Sequence, residues 1–147
     1  MMMGTVSVLY FEDVKEGDEA PVKKHRLTRT DMVRYAGASG DYMPMHHDEV
    51  FAKSIGQPSV FGHGMFSMGL LGAAITDWVG KTALTRYKVR FASQTWPDEE
   101  LRTQVTVTGK TVDEGRRHLV NMECKLLNSE GDVKVVGEAQ AVLPSRS

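Results

Sequence analysis

The stretch Gly64–Gly80, GMFSMGLLGAAITDWVG, constrains this chain more than any other. From Met65 to Val79 the pattern is apolar on nearly every side at helical spacing, and such a helix has to be covered by other elements. Gly69, Gly72, Ala73 and Ala74 sit among the large residues and let neighbouring backbones come close. Each interior glycine costs about 0.5–1 kcal/mol relative to alanine, so close contact has to repay it. Asp77 interrupts the run, which is too short and glycine-rich to span a membrane. What can cover the helix follows it. Leu84–Ser93, Leu101–Thr111, His118–Leu127 and Val133–Leu143 are rich in strand formers and alternate in character. Turn sequences separate the last three: DEG within Val112–Arg117 and NSEGD over Asn128–Asp132. Strands that follow one another at hairpin distance predict an antiparallel sheet. The fold class is α+β, with one apolar helix against one sheet. The 147 residues hold no repeat, low-complexity tract or long linker, so residues 1–147 are expected to form a single domain.

The first half supplies short elements. Val6–Tyr10 and Val22–Leu27 read as short strands, with a turn at Gly17-Asp18 between them. Thr28 reads as an N-cap three residues before Asp31, an acidic variant of the capping box. Met32, Val33 and Ala36 then predict a helix over Thr30–Ala38, ended near Gly37 and Gly40. Pro44 breaks any helix through Ser39–His46. Asp48 caps a short helix carrying Val50, Phe51 and Ala52, stopped at Gly56, and QPSVFGHG is a loop.

Several function classes are disfavoured. A net charge of −1 with no basic stripe argues against nucleic-acid binding by phosphate neutralisation. The one cysteine, Cys124, forms no internal disulfide, which fits a reducing compartment; its strand setting reads as a buried hydrophobe. The N-terminus MMMGTVSVLYFEDV lacks the basic start and long apolar run of a secretory signal, so the expected location is cytoplasmic, off the membrane.

The chemistry concentrates in Ser39–His46, SGDYMPMH. Asp41 and His46 have two readings: a turn aspartate and a polar histidine before a capped helix, or one acid–base pair. Spacing alone favours the first. Against it, Pro44 fixes the backbone between the two groups, and Tyr42, Met43 and Met45 supply apolar bulk expected to shield them from water. A second loop, Phe61-Gly-His-Gly-Met65, carries His63 straight into the apolar helix. Backbone N–H groups at a helix start are unpaired and sit at the positive end of the dipole. A carbonyl oxygen placed there is polarised as negative charge develops on it.

In combination and order, these motifs resemble the MaoC-like dehydratases, the (R)-specific enoyl-thioester hydratases. The resemblance spans most of the chain: Glu16-Gly17-Asp18, YAGASGD followed by Pro44 and His46, Phe51-Ala52, the HGM helix start, Tyr87-Lys-Val-Arg-Phe91 and Gly137-Glu-Ala. It implies a hotdog fold, a long antiparallel sheet wrapped around a central helix at Met65–Val79, assembled as a homodimer or as paired subunits. It implies Asp41 and His46 as the catalytic pair that holds and activates a water. The backbone N–H of Gly64 becomes the donor to the thioester oxygen, with His63 and Met65 expected to contact substrate and Met43, the residue peculiar to this chain, expected to line the acyl pocket. It implies no metal and no cofactor beyond the coenzyme A or acyl carrier protein that is part of the acyl-thioester substrate. The sequence departs from the family at Met43, where asparagine is usual, so that a side chain that barely hydrogen-bonds replaces an amide. It also departs at Thr95–Leu101, where a proline, glycine and aspartate turn is common. Two other readings share the fold: an acyl-thioester hydrolase, and a non-catalytic acyl-thioester-binding subunit supporting a catalytic partner.

The remaining features are less informative. His47 has no accompanying Cys or His cluster and receives no metal role. His25 and His118 lie in expected strands as surface residues. Arg86, Lys88 and Arg90 alternate on one strand face, positioned either for phosphates or a carrier's acidic helix, or simply for solvent.

Overall fold

The computed structural model describes residues 7–147. Five strands, β1 (Lys24–Arg26), β2 (Leu84–Phe91), β3 (Glu100–Val112), β4 (His118–Asn128) and β5 (Val133–Leu143), form one sheet in the order β1-β3-β4-β5-β2. Every pairing is antiparallel. Helices α1 (Arg29–Ser39) and α2 (Glu49–Ser54) lie in the first half, and α3 (Gly64–Val79) packs against the sheet as the central helix of a hotdog fold. Among the described residues, no helix is long and apolar enough to cross a membrane.

Alternation decides which face of the sheet meets α3. In β3, Leu101, Thr103, Val105 and Val107 are buried while Arg102 and Gln104 are exposed. In β4, Val120, Met122, Cys124 and Leu126 point the same way. They meet Leu71, Ala74, Ile75 and Val79 of α3 in one core. Fully burying a side chain of this size contributes about 1.5–3 kcal/mol, so this seam supplies the main driving force for the fold. Burial pushes the Cys124 thiol up to about 12, the behaviour of an inert core residue.

The full cover expected for α3 is present on one side only. Ser67, Leu71, Ala74, Ile75 and Val79 are buried, whereas Met65 is 56 % exposed and Gly69 faces open space. A single curved sheet reaches only the side of the helix turned towards it. Gly72 does serve close packing: the Tyr87 ring comes within 3.3 Å of the position a Cβ would take, and Tyr87 Oη donates to the Met68 carbonyl at 2.8 Å.

Local signals set α1 and α2. Thr28 Oγ1 accepts from Asp31 N, and Asp31 Oδ2 accepts from Thr28 N, closing the capping box. Gly40 closes α1 with a left-handed φ of 76° that a side chain rarely adopts. Asp48 Oδ1 accepts from Val50 N and Phe51 N at the start of α2. The strand expected over Val6–Tyr10 is not formed across residues 7–10, and Val6 lies outside the described residues. The Tyr10 amide donates to Asp13 Oδ2 and the Phe11 amide to the Pro144 carbonyl, so this segment docks as a turn beyond the end of β5. His25 and His118 do lie in strands, each partly buried: His25 pairs with Asp31 at 2.8 Å, and His118 meets the Phe11 ring edge-on.

The β2–β3 connection, residues 92–99, is held by a buried charge pair. Lys134 Nζ lies 3.0 Å from Glu99 Oε2 and donates to the Gln94 carbonyl at 2.9 Å. Glu99 also accepts from Trp96 N at 2.7 Å and from Asn128 Nδ2 at 2.9 Å. With side chains only 5 % and 18 % exposed, little water reaches either charge to replace a lost partner. Lys134→Met or Glu99→Gln alone is expected to cost about 3–5 kcal/mol in chemical denaturation. The double variant should cost less than the sum, because it strands no charge; strict additivity would show that the pair is not coupled.

Candidate active site

The loop after α1 presents Asp41 and His46 by a run of local bonds. Ser39 Oγ accepts from Asp41 N at 3.1 Å, and Asp41 Oδ1 accepts from Met43 N at 3.3 Å. Pro44 then opens a 3-10 turn, Pro44–His46, in which His46 N donates to the Met43 carbonyl at 3.1 Å. The turn swings the His46 ring inward to 8 % exposure, while the Asp41 side chain stays 45 % exposed. The expected apolar shield is only partial in the single chain: Met45 is half-buried, but Tyr42 is 64 % and Met43 49 % exposed, because the turn that buries His46 points these two outward.

His46 Nδ1 lies 2.7 Å from the Phe61 carbonyl. A carbonyl only accepts, so Nδ1 carries the proton and Nε2 of the neutral ring keeps a free lone pair. That Nε2 stands 3.9 Å from Asp41 Oδ2. The gap is too long for a direct hydrogen bond but suits one water donating to both, at about 2.8 Å from each. A bare imidazole nitrogen and a carboxylate acting on the same water form a general acid–base pair.

The second loop brings the helix end to this pair. The His63 ring stacks on His46 with centroids 3.9 Å apart and planes 26° from parallel, and its Nε2–H donates to the Asp41 carbonyl at 3.1 Å. Burial lowers the His63 pKa from the usual histidine value, which favours the neutral ring. His63 is also the N-cap residue of α3, and among the described residues the amide of Gly64, the first helical residue, donates to no partner. Gly62 fixes the approach: its N–H donates to the Thr95 carbonyl at 2.8 Å, and a Cβ there would collide with Thr95 Oγ1. Beside the helix start lies a cavity of about 280 Å³, lined by Phe61, Gly62, Gly64, Ser67, Phe91 and Thr95 among others. It meets the site at the helix end, not at Asp41 or His46.

Asp41, His46 and His63 thus converge, with one potential ligand atom from each lying within 4.8 Å of the others. Sequence reasoning joined Asp41 to His46 but not His63 to both. The only signal for it was that each histidine sits beside a helix start. Imidazoles bind a metal in the ring plane, and rings stacked this nearly parallel aim their lone pairs side by side rather than at one ion. Met43 and Met65 both stand exposed near this end of the molecule. Arg86, Lys88 and Arg90 lie exposed on β2 and are not among the residues that line the cavity, and Arg86 reaches Glu138 at 3.3 Å.

Comparison with known proteins agrees with this geometry. A family profile described as "MaoC like domain" matches residues 12–129. An (R)-specific enoyl-CoA hydratase of Rhodospirillum rubrum is 31 % identical over 139 residues, 93 % of each chain. A 3-hydroxybutyryl-CoA dehydratase of Methylorubrum extorquens is 28 % identical over 154 aligned positions, covering 99 % of this chain and 90 % of the relative. The R-hydratase PhaJ1 structure from Pseudomonas aeruginosa superposes with a TM-score of 0.80 at 22 % identity, over 93 % of this chain and 86 % of that one, a likeness of fold. With the hotdog architecture, the paired acid and imidazole, and a match over most of its length, the chain belongs to the MaoC-like dehydratase family.

Proposed function

We infer that this protein is a hydro-lyase acting on acyl thioesters, an (R)-specific enoyl-thioester hydratase that also runs in reverse as a 3-hydroxyacyl-thioester dehydratase. The observation that carries the reading is the bare His46 Nε2, 3.9 Å from Asp41 Oδ2, with the unpartnered Gly64 amide following the residue stacked on His46. In hydration, His46 and Asp41 hold a water. His46 Nε2 takes one of its protons as the oxygen bonds to the β-carbon. The π electrons move to the thioester oxygen, where the Gly64 N–H and the helix dipole stabilise the enolate. The α-carbon takes a proton back from the same acid–base pair, on the face the water attacked. Addition is therefore syn, and the (R)-3-hydroxyacyl product follows when the trans-2-enoyl thioester turns towards the water the face whose attack gives that configuration at the β-carbon.

The acyl group is carried on coenzyme A or an acyl carrier protein, and these residues need no further cofactor for the proton transfers. The cavity beside Gly64 takes part of the substrate next to the thioester. The uncovered side of α3, with Met65 and Gly69, supports a homodimer or paired-subunit assembly, since a second chain supplies the cover one sheet lacks. The thiol of Cys124 suits a reducing cytoplasm. An acyl-thioester hydrolase of this fold would not need a tautomer-fixed His46, so the Phe61 bond favours hydration.

Incubation with crotonyl-CoA should remove the enoyl absorbance without releasing free thiol; thiol release would identify a hydrolase, and no reaction across acyl lengths on either carrier would leave only a binding subunit. Asp41→Asn and His46→Gln should each lower kcat by about 10²–10⁴-fold, the usual worth of a general acid or base, with melting temperature little changed for half-exposed Asp41. Met43→Asn should shift the kcat/KM ratio between butenoyl and octenoyl thioesters by about threefold or more, because a pocket wall discriminates by the apolar contact it offers. An unchanged ratio means that Met43 does not line the acyl path. In solution the protein is expected at twice the mass of one chain, and a monomer by sedimentation that remains active would remove the need for a partner.

A further inference from the structure

We propose that His63 is the positioning residue of this site: its ring registers the Asp41 loop and the His46 imidazole against the helix end that carries Gly64. The role deepens the hydratase reading and rests on it. Three observations meet in this side chain. Its Nε2–H holds the Asp41 backbone carbonyl at 3.1 Å. Its face carries the His46 ring at 3.9 Å, and Tyr35 backs it with ring centroids 4.9 Å apart. Its backbone is the N-cap of α3, immediately before Gly64. Among the described residues, no other side chain meets both Asp41 and His46 through a hydrogen bond or a ring contact.

The fourth observation is a penalty the site accepts. His63 Nδ1 is buried and has no hydrogen-bond partner among the described residues. A neutral imidazole has one N–H. Giving that proton to Nε2, for the Asp41 carbonyl, leaves Nδ1 bare in a setting where unpaired polar atoms cost stability. Buried orphans of this kind call for an explanation, and holding the loop supplies one. The same burial argues against substrate contact, since His63 is 2 % exposed and its one N–H is already spent on protein. His63 therefore acts through Asp41 and His46 rather than on the reacting atoms.

Three variants separate the two contacts. His63→Phe keeps a ring under His46 and loses the donor. His63→Gln keeps a donor and loses the ring. His63→Ala loses both. Steady-state kinetics on crotonyl-CoA, thermal melting, and long-range proton–nitrogen NMR of the imidazoles without substrate are measured for each. His63→Ala is expected to lose about 10²-fold in kcat, the scale of a misplaced catalytic group, with KM held within about threefold. Phe and Gln should each restore part of the loss. The His46 spectrum should change from the Nδ1–H form to a mixture of tautomers in the Ala variant. KM rising with kcat retained would make His63 a substrate contact and overturn the proposal. Equal losses in all three variants, or an unchanged His46 spectrum, would also overturn it. Should His63→Ala fail to fold, the Phe and Gln variants carry the comparison. The spectra are read without substrate, so a wild-type protein inactive on every enoyl thioester would refute the hydratase reading while the spectra still decide the positioning role.

Discussion

The hydrogen bond from His46 Nδ1 to the Phe61 carbonyl is the interaction on which the site depends. It ties the loop after α1 to the loop before α3 and selects the tautomer that leaves Nε2 basic. The opposite tautomer would turn a lone pair towards a carbonyl oxygen and a proton towards the gap between His46 and Asp41. One contact therefore fixes geometry and reactivity together. Because the acceptor is backbone, its position follows from how residues 61–64 are held rather than from which side chain Phe61 carries.

That hold comes from the far end of the sheet. Gly62 N–H rests on the Thr95 carbonyl, and Thr95 belongs to the β2–β3 connection. The Lys134–Glu99 pair stiffens that connection by fastening it to the β4–β5 hairpin. Charge buried in the hairpin thus bears on the placement of the helix start. A buried ion pair is weak evidence of net stability, because desolvation offsets attraction. Its use here is to fix one arrangement of a connection that carries no regular structure of its own.

The strands, α3 and the capped ends of α1 and α2 were legible because period, cap residues and turn residues act locally. Thr28 with Asp31, and Asp48 before Val50, identify their helix starts without reference to the rest of the chain. The Asp41–His46 pair was legible as a candidate, and the family resemblance raised it above a polar loop. What escaped depends on contacts distant in sequence. Nothing local says that His63 reaches back to Asp41, 22 residues earlier, or that Phe11 docks on Pro144 while residues 7–10 form no strand. The exposure of Tyr42 and Met43 was misjudged for a related reason. Apolar composition in a loop does not say which side of a turn each residue takes, and the turn that buries His46 spends its inward direction on the imidazole.

The substitution at Met43 follows from the same economy. The loop uses only this residue's backbone: its N–H donates to Asp41 Oδ1, and its carbonyl accepts from His46 N. Its side chain stands half in solvent and holds nothing in place. An asparagine amide at this position would be free to address water or substrate, but the turn closes equally well around a thioether. The Asp41–His46 pair and its scaffold can therefore persist while position 43 changes, so the substitution bears on whatever approaches this loop rather than on the pair itself. The uncovered side of α3 reinforces the point. Met65 lies exposed there on the first turn of the same helix, so the apolar groups near this end are those a bound acyl chain or a second chain would cover, while Asp41, His46 and the Gly64 amide are already in place within one chain.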